Sequence, residues 1–507
     1  MVTRKLDRPR ETKAATAFSP KQARSSKAAE TIATVTPTPQ LAPALVRQAM
    51  DVLTKLIARE GTAISAPLIT ELLLSAGLSI GQATLALSAA HRLLPKYRTD
   101  QLLVTIDPQA VHPGGRGRLS ASRLEKSLED PFAALERDGL IEDVTAIGLP
   151  TRERSTAAAA LTASVAPTVD EELSGLSVIR LAPGAAVDEV LRRLDDIPAV
   201  REIERVPFRT VTPLTSQSNQ VPTGAVLVPW NLERIQWRDR QPPDAAVVKV
   251  AVLDTGVDES HPDLDIAAYN YEGASAEDIV GHGTHVSGIL AGQLAKNLSF
   301  YSGVSNAGIY VWKIFGDQPD PAGRYLVDEY QYQRALLACL QEGCKVLNLS
   351  IGGTGTTKAE RNLFARLVKG GVVIVAAMGN DYLRGNPTEY PAAHADVVAV
   401  GAIGSDLLRA PFSNTGNHIS LVAPGVGIWS TLPLKASVAR SQTSYAAWDG
   451  TSMAAPHVSA AAARLLAANP GWAPAQLKTA LQASALKLAP MQSQSWTRLY
   501  GSGLLQV

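Results

Sequence analysis

One segment constrains this chain more than any other: Gly450-Thr451-Ser452-Met453-Ala454-Ala455-Pro456-His457, which leads into a largely apolar run, Val458 to Ala468. A helix that is apolar around most of its circumference has to be buried, so other elements must pack around it. Ser452 falls at the start of that helix. Unpaired N–H groups and the positive end of the helix dipole favour developing negative charge there, which suits a nucleophilic hydroxyl. Taken alone, the same segment also reads as an ordinary helix cap.

Two upstream segments decide between these readings. Val248-Lys249-Val250-Ala251-Val252-Leu253 is an apolar strand ending in Asp254, and Thr255-Gly256 makes a turn after it. That pattern puts a carboxylate at the carboxyl edge of a parallel sheet, where α/β proteins place their sites. Gly281-His282-Gly283-Thr284-His285-Val286-Ser287-Gly288 sets a histidine at the head of a small-residue helix. Asp, His and Ser follow one another in one of the chain orders that a catalytic triad uses. In such a triad Asp254 holds the imidazole tautomer, His282 takes the hydroxyl proton and Ser452 attacks the carbonyl.

Together these segments resemble the subtilases, the subtilisin-like serine proteases of peptidase family S8, over roughly residues 225–507. The resemblance implies a three-layer α/β fold with a mainly parallel sheet, and a serine endopeptidase working through an acyl-enzyme. Further segments fall in family order. Leu347-Asn348-Leu349-Ser350-Ile351-Gly352-Gly353 is similar to the strand on which the family lays its substrate as an added β-strand. Met378-Gly379-Asn380 is similar to its oxyanion-hole segment, so Asn380 is expected to donate to the tetrahedral oxyanion beside the Ser452 N–H. In the family pattern the residue before Tyr390-Pro391 forms the floor of the pocket for the side chain preceding the cut. The residue after the oxyanion Asn forms its rim. Here these are Glu389 and Asp381. A carboxylate there favours Arg or Lys, with cut sites expected after Arg205 or Arg209. Glu389 turning outward to solvent is the other reading. No cofactor is required. Asp263 lies near a position that supplies a calcium oxygen in many subtilases, so the resemblance leaves calcium open, although its acidic neighbours form no tidy cage. His282 and His285 are spaced to chelate a metal, yet no zinc-protease Glu follows, so no metal is assigned. His285 and His457 read as packing residues. A non-catalytic peptide-binding module that uses the same groove is the alternative function.

Upstream, Leu176–Leu181 reads as a strand, Ala186–Asp196 as a helix and Val200–Val206 as a second strand. Residues 174–224 thus resemble the inhibitory prodomain and linker of a zymogen, α+β in class. Residues 99–173 read as linker. Residues 41–98 carry three amphipathic stretches and read as a helical domain that could dock a protein partner. Residues 1–40 are basic and polar, a disordered tail. Net charge +1 gives no nucleic-acid signal, and no apolar run reaches a membrane span. The tail shows no secretory h-region, so a cytoplasmic protease is expected, with leaderless export left open. Cys339 and Cys344 are expected to be free thiols.

Overall fold

The computed structural model describes residues 96–107, 132–147, 175–211, 229–237, 245–272, 275–293, 303–320, 324–434 and 444–507. The basic tail and nearly all of the expected helical domain, with any partner site on it, lie outside the described residues.

A small domain comes first. Strands β1 (Tyr97–Ile106), β2 (Ile141–Ala146), β3 (Leu176–Leu181) and β4 (Val200–Pro207) form one antiparallel sheet in the order β2-β3-β1-β4. Helix α1 (Val187–Asp195) buries Val190 and Leu194 against it, over Leu102, Val104, Ile179 and Leu181. The sheet therefore draws two strands from the segment expected to be linker, and β1 begins inside the segment expected to be helical. For β1 the physical reason is burial on both faces. Leu103, Val178 and Val206 belong to the main core, while Leu102 and Val104 belong to the small one. A strand buried on both sides shows no alternation that would announce it.

The second face of that sheet lies across the N-termini of two helices of the larger unit, α3 (Glu329–Gln341) and α4 (Lys358–Lys369). Asp328 caps α3 by accepting from Gln331 N at 3.1 Å, and Gln101 Nε2 donates to its other oxygen at 3.0 Å. Glu204 reaches from β4 to accept from the backbone N–H groups of Lys358 and Ala359 at the head of α4. Acidic groups are favoured at helix N-termini, which fixes the orientation of the docked domain.

The larger unit is built on seven parallel strands in the order β11-β10-β9-β8-β5-β7-β6. They are β5 (Lys249–Asp254), β6 (Ile266–Asn270), β7 (Gly308–Lys313), β8 (Val346–Leu349), β9 (Val373–Ala377), β10 (Val398–Ile403) and β11 (Ile419–Pro424). Most are buried along their whole length, as a sheet covered on both faces requires. Helix α2 (His282–Ala291) and helix α5 (Thr451–Ala468) pack on this sheet, and a hairpin of β12 (Ile428–Thr431) and β13 (Tyr445–Trp448) flanks them. α5 is buried on nearly every side, and the alanines at 454, 455 and 460–463 let it approach β8, β9 and β10. Helix α6 (Pro474–Ser484) adds Leu477 and Leu481 to the core. The strand order reverses around β5, and the turn after β5 and the head of α2 meet there.

That meeting depends on Gly283. A Cβ at this position would lie 2.1 Å from the Gly256 carbonyl oxygen and 3.0 Å from Asp254 Cβ. Gly283→Ala is therefore expected to push α2 away from β5 and cost about 1–3 kcal/mol, the range for overpacking a tight site. A shift in the urea midpoint at unchanged slope is the check, and an unchanged midpoint would refute the close approach.

Candidate active site

The carboxyl ends of β5, β8 and β9 and the N-termini of α2 and α5 bring the expected residues together. His282 Nδ1 lies 2.6 Å from Asp254 Oδ1, and both side chains are fully buried. The same oxygen accepts from Thr255 N at 2.8 Å, which sets the carboxylate plane. Asp278 fixes the loop that carries the histidine. Its carboxylate accepts from Thr255 Oγ1 (2.8 Å), Gly281 N (2.9 Å), Thr284 N (2.9 Å) and Thr284 Oγ1 (2.7 Å). With Nδ1 committed to Asp254, the imidazole presents Nε2, which makes no hydrogen bond.

Ser452 sits in the first turn of α5. Pro456 lies four residues on and has no N–H, so the Ser452 carbonyl loses its normal helical donor. Ser350 Oγ takes that place at 3.0 Å. Asn348 Nδ2 donates to Ser350 Oγ (3.0 Å), and Ser459 Oγ donates to Asn348 Oδ1 (2.7 Å). The helix is thereby pinned to the end of β8. The Ser452 hydroxyl donates to the Ser350 carbonyl at 3.1 Å, so its bond to Nε2 is not made in this state. Catalytic hydrogen bonds often tighten only when substrate is present.

Asn380 follows β9. Its Oδ1 accepts from Thr451 N and Thr451 Oγ1, both at 2.9 Å. The side-chain carbonyl is thus used up, and the Nδ2 donor is left facing the Gly450–Ser452 turn. Thr451 was not among the residues singled out from sequence. Its position next to the serine was the available signal.

The strand expected to receive substrate is already paired. Thr210 pairs antiparallel with Gly352 through bonds of 3.1 and 3.3 Å, and Val327 N donates to the Arg209 carbonyl at 3.1 Å. The chain leaving β4 thus lies between two edges of the larger unit. Gly353 pairs instead with Tyr390. Glu389 does not turn outward. It is buried, accepts from Asn414 Nδ2 at 2.7 Å, and places its two oxygens within 2.2 Å of where Cβ atoms on Gly352 and Gly379 would be. Its carboxyl therefore lies between the segments that carry Gly352 and Gly379. Burial, reinforced by the neighbouring Asp381 charge, pushes it up to about 8. Asp381 pairs with Arg384 at 2.9 Å. The expected cut-site arginines do not approach Glu389. Arg205 pairs with Asp188 at 2.7 Å, and Arg209 points into a different cavity.

His285 Nε2 bonds the Ala446 carbonyl at 3.0 Å while its ring stacks on Trp448, and His457 bonds Met453 O and Asn231. The Asp263 carboxylate accepts from the Tyr445 hydroxyl. Among the described residues no group of three or more His, Cys, Asp or Glu side chains is arranged to hold a metal ion. Cys339 and Cys344 are buried and unbridged. Among the described residues no helix is long and apolar enough to cross a membrane.

A parallel-sheet fold with Asp, His and Ser at one edge is that of the subtilisin-like proteins. A profile described as the subtilase family matches residues 246–503, and the chain belongs to that family. It is 33% identical over 270 residues to a subtilisin of Bacillus pumilus, covering 51% of this chain and 89% of that one. It is 32% identical over 328 residues to an alkaline protease of Alkalihalobacillus alcalophilus, covering 62% and 80% respectively. Subtilisin E of Bacillus subtilis (strain 168) is 33% identical over 270 residues, and the match spans 64% of its length. The solved structure of fervidolysin from Fervidobacterium pennivorans, a keratinolytic enzyme related to subtilisin, shares the fold. It has a TM-score of 0.57 and 23% identity, covering 81% of this chain and 60% of that one.

Burial holds His285 down at about 3 and His457 at about 4. The unfolded chain binds these protons near pH 6.5, whereas the folded chain refuses them. The stability each contributes is therefore complete above about 6.5 and is lost as pH falls toward the folded value. The slope is about 1.4 kcal/mol per pH unit and per histidine. His457→Gln should flatten the acid limb of a stability–pH curve by one such slope. A curve parallel to the parent's would show that the ring does titrate in the fold.

Proposed function

We propose that the chain is a serine endopeptidase, made as a zymogen, that hydrolyses peptide bonds in protein substrates. The observation that carries the reading is the 2.6 Å Asp254–His282 contact, which leaves Nε2 unbonded at the head of α2, the helix that packs against the one bearing Ser452. Ser452 Oγ attacks the scissile carbonyl while His282 Nε2 takes its proton. The resulting imidazolium is stabilised by Asp254 and later gives the proton to the leaving amine. Asn380 Nδ2 and the backbone N–H of Ser452 hold the oxyanion. Water then repeats the sequence on the acyl-enzyme. The small domain acts as the inhibitory segment, supported by the pairing of Thr210 with Gly352. The unbridged thiols support a cytoplasmic site of action.

Ser452→Ala and His282→Ala should each lower turnover by several orders of magnitude, since nucleophile and base act as a unit. Asn380→Ala should cost about 10²–10³ in rate. Covalent labelling by a fluorophosphonate separates this reading from a silent peptide-binding module: no label on Ser452 would sink the protease.

The same proposal includes selectivity for Arg or Lys before the cut, supported by the buried Glu389 carboxyl. Without a cationic ligand that carboxyl is protonated below about pH 8. A bound arginine needs it ionised, so binding releases a proton. Preference for Arg over Leu should rise from pH 6 to 8, by at most about tenfold per unit, and level off above that. Glu389→Gly should abolish both the preference and its pH dependence. A parent enzyme that prefers Leu at every pH would end the idea.

A further inference from the structure

Helix α3 ends in a turn that brings the chain's only two cysteines together. Gly343 takes a left-handed backbone, φ +70°, which favours glycine. Two bonds close the turn around it: Cys344 N donates to the Cys339 carbonyl at 3.0 Å, and Gly343 N donates to the Leu340 carbonyl at 3.3 Å. This is the Schellman way of ending a helix, and the residues joined by the longer-range bond commonly touch through apolar side chains. Here both of those residues are cysteines, and their thiols are hydrogen-bonded to each other. Adjacent backbones and touching sulfurs are the conditions a disulfide needs.

The turn is tied to the base of the parallel sheet. Lys249 Nζ donates to the Glu342 carbonyl at 2.8 Å and lies 4.8 Å from the centre of the Tyr310 ring. Lys345 N donates to the Lys249 carbonyl at 2.9 Å, and Val373 N donates to the Lys345 carbonyl at 2.9 Å. The thiols therefore stand where β5, β8 and β9 begin. Asp254, Ser350 and Asn380 lie at or past the opposite ends of the same three strands. A bond between the sulfurs would stiffen the base of these strands without touching any reacting group.

Both cysteines are buried. Burial, reinforced by the neighbouring sulfur, pushes the Cys339 thiol well up and keeps it protonated. A protonated thiol is a poor nucleophile, so the closed turn resists oxidation. Helix ends open locally far more often than the whole domain unfolds, and such opening admits a small reagent.

We propose that Cys339 and Cys344 form a redox site, a dithiol that closes to a disulfide and locks the last turn of α3 to the start of β8. The proposal concerns the far end of the sheet and holds whether or not Ser452 is a nucleophile. The oxidant is a low-molecular-weight disulfide, RSSR. In the opened turn the Cys344 thiolate attacks one of its sulfurs, forming a mixed disulfide and releasing RS⁻. Cys339 then loses its proton to solvent, and its sulfur attacks Cys344 Sγ and displaces the second RS⁻. The two thiols are oxidised to one disulfide while RSSR is reduced to two RSH.

The test incubates the full chain with oxidised glutathione, quenches it in acid, and labels remaining thiols with a maleimide in denaturant before tryptic digestion. Cleavage after Arg334 and Lys345 leaves both cysteines on one peptide, Ala335–Lys345. A bridge is read as that peptide lighter by two hydrogens and unlabelled until reduced. It is expected in about tenfold or greater excess over the glutathione adduct, because the second thiol is held beside the first. The bridged chain should also melt about 3–6 °C higher than the reduced chain, the gain from closing so short a loop. Cys344→Ser should show neither the bridge nor the shift. A doubly labelled peptide, a lasting glutathione adduct or a disulfide-linked dimer would overturn the site. A bridge that leaves the melting point unchanged, or an equal shift in Cys344→Ser, would overturn the lock.

Discussion

The close approach of helix α5 to the sheet is the constraint on which the rest of the site depends. A helix can lie directly on β8, β9 and β10 only where its side chains are small, and the alanines after Met453 meet that condition. The approach places the first turn of α5 among the ends of three strands. It also creates a problem, because Pro456 leaves the Ser452 carbonyl without its helical partner. The problem is solved by Ser350, which is itself oriented through Asn348 and Ser459. The polar chain that satisfies one orphaned carbonyl is therefore the same one that fixes the serine relative to the substrate strand.

The parts legible in the sequence were those where local chemistry and global position agree. An apolar strand ending in Asp254, and a histidine flanked by glycines, state their places without reference to distant residues. The strand and helix read at Leu176–Leu181 and Ala186–Asp196 stand in the fold within a residue of those bounds. β1 was illegible because its central residues are buried on both faces, which removes the alternation that marks a strand. The orientation of Glu389 could not be read from its loop. It depends on the absence of side chains at Gly352 and Gly379, two positions far apart in the chain. The Arg209 cavity was illegible for a different reason. Acids in the first turns of helices are ordinary, and Glu329 and Glu360 gain meaning only when α3 and α4 are brought side by side.

The two acidic pockets show how one kind of side chain takes opposite states within one groove. Glu389 has a single amide donor and an acidic neighbour, so burial wins and the carboxyl is held neutral into the alkaline range. Glu360 has a tyrosine, a threonine, a histidine and a guanidinium around it, and the charge wins over the same burial. What separates them is first the neighbouring charge, a guanidinium beside one and a carboxylate beside the other, and then the number of donors. A group held charged by its current occupant binds that occupant tightly and selects against neutral replacements. A group held neutral in the absence of a ligand can be ionised by an incoming cation, with release of a proton.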